Sequence, residues 1–344
     1  MIKFNYGGFS HSEGMYGILE GIPFGLKIDE FKINELLKER QFGLGRSERQ
    51  AAEVDKIKIL SGIIDGISVG APLVFCVNNK VKDRVKFSVP RPNHADLAGA
   101  IKNGMIDTGG DVDFSIISEA ASGRNTVIVS AAGAICMQVL DKLGIEFAHR
   151  IINIAGIDYK DKDGIEKFIE GLRLLEDTAG GAGEVVVKGL RAGVGGYASL
   201  NDKLDGKLAG AVMSVPSIKA IEIGRGKEFE MLLGSECADE IYLDAKTIKR
   251  KSNNCGGIEG GVSNGQEILV RFSVKPLPSV FKDIKSIDFN TLQKANLKKL
   301  RTDVCAVESV SCVVKAVIAI EILKQIILQF NSSTMDKLIK DYEA

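Results

Sequence analysis

The chain has 344 residues and is 45% hydrophobic, enough to bury a large core, so disorder is disfavoured and either several domains or one large α+β unit is allowed. Its 45 basic and 45 acidic residues cancel, so no net field recruits nucleic acid or an anionic membrane, and an anionic ligand must be met by a local cluster. Six scattered cysteines (Cys76, Cys136, Cys237, Cys255, Cys305 and Cys312) show no C-x-x-C spacing, which argues against zinc and against a disulfide framework and fits a reducing cytoplasm.

The opening stretch MIKFNYGGFSHSEG has no basic region followed by an apolar run, so no secretory signal is visible and the expected location is the cytoplasm. His11 stands in a polar turn, Phe9-Ser10-His11-Ser12, beside Gly7 and Gly8, where no apolar face calls for a packed histidine. Residues 27–40 carry helical periodicity with Asp29 near the start, and the loop Gln41-Phe42-Gly43-Leu44-Gly45-Arg46 breaks it with two glycines. Arg40, Arg46 and Arg49 bracket that loop. Guanidinium forks grip phosphate and carboxylate bidentately, although a solvated basic helix end would give the same pattern.

Short β-branched runs at 57–60 and 73–77 read as strands. In Arg91-Pro92-Asn93-His94-Ala95-Asp96, proline restricts the backbone and Asp96 is placed to orient the His94 imidazole. His149, in Phe147-Ala148-His149-Arg150, has no comparable setting. A second helix is expected over 125–143, and further strands at 184–187 and 267–272.

The 38 glycines cluster at 180–183, 193–196 and 256–265, as tight loops do and linkers do not. The run from Asn254 to Gly265 offers backbone amides for close approach to a ligand, as in anion-binding nests, or else a structural hairpin. It leads into a strand and opens no helix, so it is not a dinucleotide fingerprint and a Rossmann domain is disfavoured. Lys275-Pro276-Leu277-Pro278-Ser279 presents an ammonium and a hydroxyl beside a rigid turn. Asp303, in Arg301-Thr302-Asp303-Val304-Cys305, reads as a helix cap or a catalytic carboxylate. The third helix is expected over 307–329. Lys315, Glu321 and Lys324 interrupt the hydrophobic segment 310–330, which makes it a core helix rather than a membrane span. With no repeat or linker, residues 1–330 read as a single large domain, and 331–344 as a loosely held tail.

Taken together the motifs resemble chorismate synthase, in order over nearly the whole chain. They are Ser10-His11 with Gly17 and Pro23; Arg40-Gln41-x-Gly43-x-Gly45-Arg46; Ile59-Leu60-Ser61-Gly62; Arg91-Pro92-x-His94-Ala95-Asp96; and Ala121-Ser122-x-Arg124-x-Thr126 leading to Ala131-Ala132-Gly133. Then follow Lys219-Ala220-Ile221-Glu222-Ile223-Gly224, Gly234-Ser235-Glu236, the 256–265 run, Lys275-Pro276 and Arg301-x-Asp303-x-Cys305-Ala306-Val307.

The resemblance implies an α+β fold, the βαβ sandwich of that family, assembled as a homotetramer. It implies an anti-1,4-elimination of phosphate from 5-enolpyruvylshikimate 3-phosphate to chorismate, with reduced FMN as cofactor and neither nucleic acid nor membrane as partner. It implies that His11 aids phosphate departure, His94 controls flavin protonation and Asp303 supports loss of the ring proton. By the same resemblance Arg40, Arg46 and Arg49 form the basic substrate pocket, while Ser122, Arg124, Asn254, Lys275, Ser279 and Arg301 contact the flavin or the pocket. No nicotinamide site is recognisable, so reduced flavin is expected from another reductase or from an intrinsic activity that some members have.

Several positions depart from the family pattern. Ala120 replaces an arginine that helps hold substrate, Asn125 a glutamate, Ser12 and Asn93 glycines, and Glu39 a common arginine; the segment 79–90 is short. Lys82, Arg84 and Lys86 are candidates to compensate. The alternative implied by these departures is a flavin- or metabolite-binding homologue with lost or altered activity.

Overall fold

A computed structural model describes residues 1–46, 54–106, 111–280, 282–297 and 303–344. Two antiparallel sheets enclose a helical layer. The first runs in the order Lys3–Gly7, Gly14–Glu20, Leu73–Asn78, Ile57–Ser61. The second runs Ile218–Ile223, Ile268–Val274, Gly181–Lys188, Glu146–Ile154, Ile157–Asp158. No parallel pair occurs in either sheet, in keeping with the absence of a Rossmann signature and with the α+β class.

Helix Thr126–Asp141 lies on the first sheet, where Gly17 leaves room for Phe75 and Ile128. Its small-residue stretch lets helix Val307–Phe330 come close: a Cβ on Gly133 would stand 2.4 Å from the Ala316 Cβ. The Val307–Phe330 helix in turn meets the second sheet, with Val307 and Ser311 against Gly181 and Gly183. Being covered by a helix on one side and a sheet on the other, it is apolar nearly all round, the pattern of a buried helix. No helix among the described residues is long and apolar enough to cross a membrane. Helix Glu30–Gln41, capped by the Asp29 carboxylate on the amides of Phe31 and Lys32, packs against both central helices and delivers Arg40 at its last turn.

The tail is not loose. After Asn331, which ends the long helix in a left-handed conformation (φ 45°), residues Met335–Glu343 form an amphipathic helix capped by Thr334. It buries Met335, Leu338 and Tyr342, and the Tyr342 hydroxyl accepts from the Arg191 amide.

Candidate active site

Elements distant in sequence meet at a cavity of about 380 Å³. Its wall includes His11 from the turn between the first two strands, Arg40 and Arg46 from the end of helix Glu30–Gln41 and its loop, and Ser122 and Arg124 before helix Thr126–Asp141. Asp303 and Ala306 come from the segment leading into the long helix.

The arginines form one cluster. Arg40 is buried, and its Nη2 lies 3.4 Å from Asp55 Oδ2, while its Nε has no hydrogen-bond partner. Arg124 reaches Asp55 at 2.8 Å and donates from Nε to Asn79 Oδ1 at 2.8 Å. Arg46 donates to Asp303 Oδ2 at 2.6 Å and to the Gln41 carbonyl at 3.2 Å. Burial pulls the Arg40 pKa down to about 10; Asp55 opposes that fall, and Arg124 and Arg46 deepen it by repulsion. Burial lowers Arg46 as well, with Asp303 opposing. Crowded guanidiniums with an unsatisfied Nε call for an anion.

The Arg46 loop is pinned to the segment beyond Asp303. Val304 N donates to Gly45 O at 2.7 Å, and Glu308 accepts from Leu44 N at 2.6 Å and from the Tyr159 hydroxyl. Gly43 has φ +138°, and a Cβ there would stand 2.0 Å from Glu308 Oε2, which is why the loop needs glycine. Burial pushes the Cys305 thiol up to about 11, so it is no nucleophile at neutral pH.

His11 is held by Glu119, which accepts from Nδ1 at 2.6 Å and from the His11 amide at 2.8 Å. His94 belongs to a second group. Its Nδ1 is 2.6 Å from Asp96 Oδ1, and Arg91 donates to Asp96, to Ser118 Oγ at 2.6 Å and to Ser279 Oγ at 3.2 Å. Burial alone would raise the Asp96 pKa, but hydrogen bonds from His94 and Arg91 hold it well below the usual carboxylate range. Lys275 joins this group by donating to Asn93 O; burial and then repulsion from Lys219 lower its pKa. A phosphate or a polar ring edge would suit this set of donors and its crowded lysines, so these residues fit an anionic flavin.

Of the residues singled out from sequence, His11, Arg40, Arg46, Ser122, Arg124 and Asp303 thus share one cavity, and His94, Lys275 and Ser279 a neighbouring group. Arg124, grouped above with flavin contacts, sits in the arginine cluster. Asn254 joins neither set: its side-chain amide donates to Cys237 O and Ser252 Oγ. The glycine run is also not an open nest. Gly257 N donates to Asn253 Oδ1 and Gly256 N to Asn253 O, while Gly256 presses on the Gly224 backbone, so its glycines serve close packing of chain on chain. Arg49 and Arg301 lie outside the described residues.

Sequence reading missed Asp55, Glu119, Asn79 and Glu308, single polar residues whose partners are remote in the chain. Of the basic residues in the short segment, Lys82 pairs with Glu13 and Arg84 with Asp113, while Lys80, which the sequence did not single out, lines the cavity.

The departures are accommodated. Glu39 faces Lys315 at 2.8 Å and His149 at 3.7 Å, away from the cavity. Asn93 keeps a left-handed φ of 62°, and Ser12 Oγ closes its turn onto Phe9 O and Gly14 O. Asn125 donates to Ala120 O at 2.7 Å, and Ala120 lines an adjoining cavity of about 800 Å³ that shares Ser122, Thr126, Val215, Pro216 and Val313 with the first.

The family model for chorismate synthase matches residues 2–327. A chorismate synthase of Thermoanaerobacter pseudethanolicus is 40% identical, covering 98% of this chain and 96% of that one. One from Caldicellulosiruptor saccharolyticus is 35% identical, covering 99% of each. A chorismate synthase crystal structure superimposes with a TM-score of 0.80 at 28% identity, over 99% of this chain and 96% of that one.

Proposed function

The chain belongs to the chorismate synthase family, and on that premise we propose that its arginine-lined cavity binds 5-enolpyruvylshikimate 3-phosphate and eliminates phosphate from it. Membership carries the shikimate-pathway activity, the formation of chorismate. The observation that supports the site assignment is the convergence of Arg40, Arg46 and Arg124 with His11 and Asp303 on one cavity.

The substrate brings a phosphate and two carboxylates. Arg40 and Arg124 share Asp55, so the pair carries a net positive charge that a bound anion neutralises, and the free Arg40 Nε gains a partner. In the elimination, the C–O pair leaves with phosphate, and the C–H pair on the opposite face of the ring completes the diene. His11 has Nδ1 engaged by Glu119, and in its imidazolium form, which that carboxylate stabilises, it presents an Nε2–H that hydrogen-bonds and protonates the departing phosphate. Asp303, oriented by Arg46, supports removal of the ring proton. Burial of the cavity wall keeps these charges in a low dielectric, where each counts for more than in water.

Reduced FMN, when bound, supplies an electron transiently as phosphate leaves. His94, Lys275 and Ser279 would hold it, with Ser122 and Arg301, and His94 would control its protonation. The same reading makes the reaction that of a carbon–oxygen lyase, the working form a homotetramer in the cytoplasm, and an external reductase or an intrinsic activity the source of reduced flavin. Residues 1–330 are then the catalytic domain.

The test mixes purified protein anaerobically with photoreduced FMN and substrate and follows chorismate absorbance and phosphate together. Product in excess of enzyme, lost in His11→Ala, supports the reading; flavin binding without product overturns it. Ala120→Arg, projecting into the adjoining cavity, is expected to tighten substrate binding.

A further inference from the structure

The structure assigns Glu119 as the positioning residue for His11 and makes the short helix Ser115–Ala120 the link between the two histidine groups. This inference rests on the proposed role of His11.

Both Glu119 oxygens are committed to one residue. Oε1 takes the His11 ring at Nδ1 (2.6 Å) and Oε2 the His11 backbone amide (2.8 Å), while the Glu119 carbonyl accepts from Ser10 N at 3.4 Å. The carboxylate is largely buried, with 13% of its side chain exposed. An ionised carboxylate only accepts, so at 2.6 Å the proton between them belongs on Nδ1, and a neutral His11 is fixed as the Nδ1–H tautomer. Nε2 is then the ring nitrogen open to the cavity that His11 lines. The backbone contact fixes the Cα and the ring contact fixes the rotamer, so Glu119 sets both tautomer and aim.

The neighbouring residue does the corresponding work on the other side. Ser118 Oγ accepts from Arg91 at 2.6 Å, and Arg91 also contacts His94 Nδ1 at 3.1 Å and Asp96. Consecutive residues of one helix therefore hold the two histidine groups, and the spacing between them is a rigid-body property of that helix. Glu119 is not among the residues that line the cavity; it acts through His11.

Glu119→Ala is expected to lower kcat by about 10- to 100-fold, the range that orienting partners of functional histidines command, with KM changed by less than about threefold. Glu119→Gln, whose carboxamide oxygen can still accept from Nδ1–H, is expected to fall between wild type and Glu119→Ala. The second readout is long-range 15N–1H NMR on histidine-labelled protein. With only three histidines, a His11→Gln variant assigns the His11 ring. The wild-type ring should show Nδ1 protonated, and Glu119→Ala should redistribute the proton toward Nε2. An unchanged tautomer in Glu119→Ala overturns the assignment whether or not the protein turns over. Unchanged kcat in that variant, in a preparation where His11→Ala is inactive, does so as well. A wild-type protein that shows the tautomer change on mutation yet makes no chorismate sinks the proposed function and leaves the Glu119 assignment standing.

Discussion

Arg40 is expected to weaken the fold that carries it. It is 6% exposed, its Nε is unpaired, and burial with Arg124 and Arg46 nearby takes its pKa from 12.5 to about 10. A cation whose folded pKa is depressed costs stability at every pH below that value, and the cost fades only as pH rises from the folded pKa to the unfolded one. At neutral pH the full cost applies, about 3 kcal/mol as an order of magnitude. Arg40→Met keeps the aliphatic stem and removes the charge, and Asp55 stays paired with Arg124 at 2.8 Å. The variant should therefore gain about 1–3 kcal/mol in urea or thermal unfolding without ligand. The same change removes a charge-assisted hydrogen bond to the substrate anion, about 1.5–3 kcal/mol, which raises KM by about 10- to 150-fold. Inorganic phosphate should stabilise the wild type more than the variant. A variant that loses stability and keeps its KM would refute the reasoning, because Arg40 would then be a structural ion-pair partner and not a strained ligand.

Gly43→Ala places a methyl 2.0 Å from Glu308 Oε2, so that carboxylate must release Leu44 or Tyr159 and the Arg46 loop must move. Steady-state kinetics should show KM raised about 5- to 30-fold; Gly25→Ala, with φ +93° but nothing within 4 Å, supplies the control for backbone strain alone. Glu39→Arg, the change toward the family's residue, should destabilise by about 2 kcal/mol and not improve activity, since it faces buried Lys315 and His149, and Lys315→Glu in the same chain should restore stability. Deleting residues 332–344 uncovers the sites of Met335, Leu338 and Tyr342 and should lower stability by about 3–5 kcal/mol, read by chemical denaturation; a tail that only hangs on the surface would leave the midpoint unchanged.

The three long helices were legible because apolar residues recur at helical spacing, as Ile33, Leu36 and Leu37 in the first and as most positions in the other two, and the structure ends them within a few residues of where the periodicity does: Glu30–Gln41, Thr126–Asp141 and Val307–Phe330. Strand Leu73–Asn78, central and apolar, was legible for the same reason. Strand Lys3–Gly7 was not, because it is an exposed edge in which Lys3, Asn5 and Tyr6 face solvent and no alternation survives. Helix Lys162–Leu174 was passed over although Ile165, Ile169 and Leu172 line one face, because two glycines and many charges dilute the signal. The tail failed differently: Met335, Leu338 and Tyr342 are spaced for a helix, but nine residues carry too little pattern to outweigh the expectation that a terminus frays.

The site divides along another line. Residues that bear chemistry in themselves, His11, Arg40, Arg46, Arg124 and Asp303, could be named from type and motif, and they converge on one cavity. What could not be named is which charge answers which. Asp55 lies 69 residues from Arg124, Glu119 108 residues from His11 and Glu308 264 residues from Leu44. None of these carboxylates stands in a local pattern, because its meaning comes only from the partner that the fold brings to it. The glycine run makes the converse point. Its composition spoke for an open ligand loop, whereas its amides close on Asn253 and on neighbouring backbone, since glycine admits a second chain as readily as it admits a ligand. Departures from a family pattern carry the same ambiguity. At position 39 the charge is reversed, but the residue points to Lys315 outside the cavity, so the change concerns stability. At position 120 the short side chain borders the space next to the arginine cluster, so on the proposed reading that change bears on substrate. Distance from the cavity, and not the severity of the substitution, separates the two.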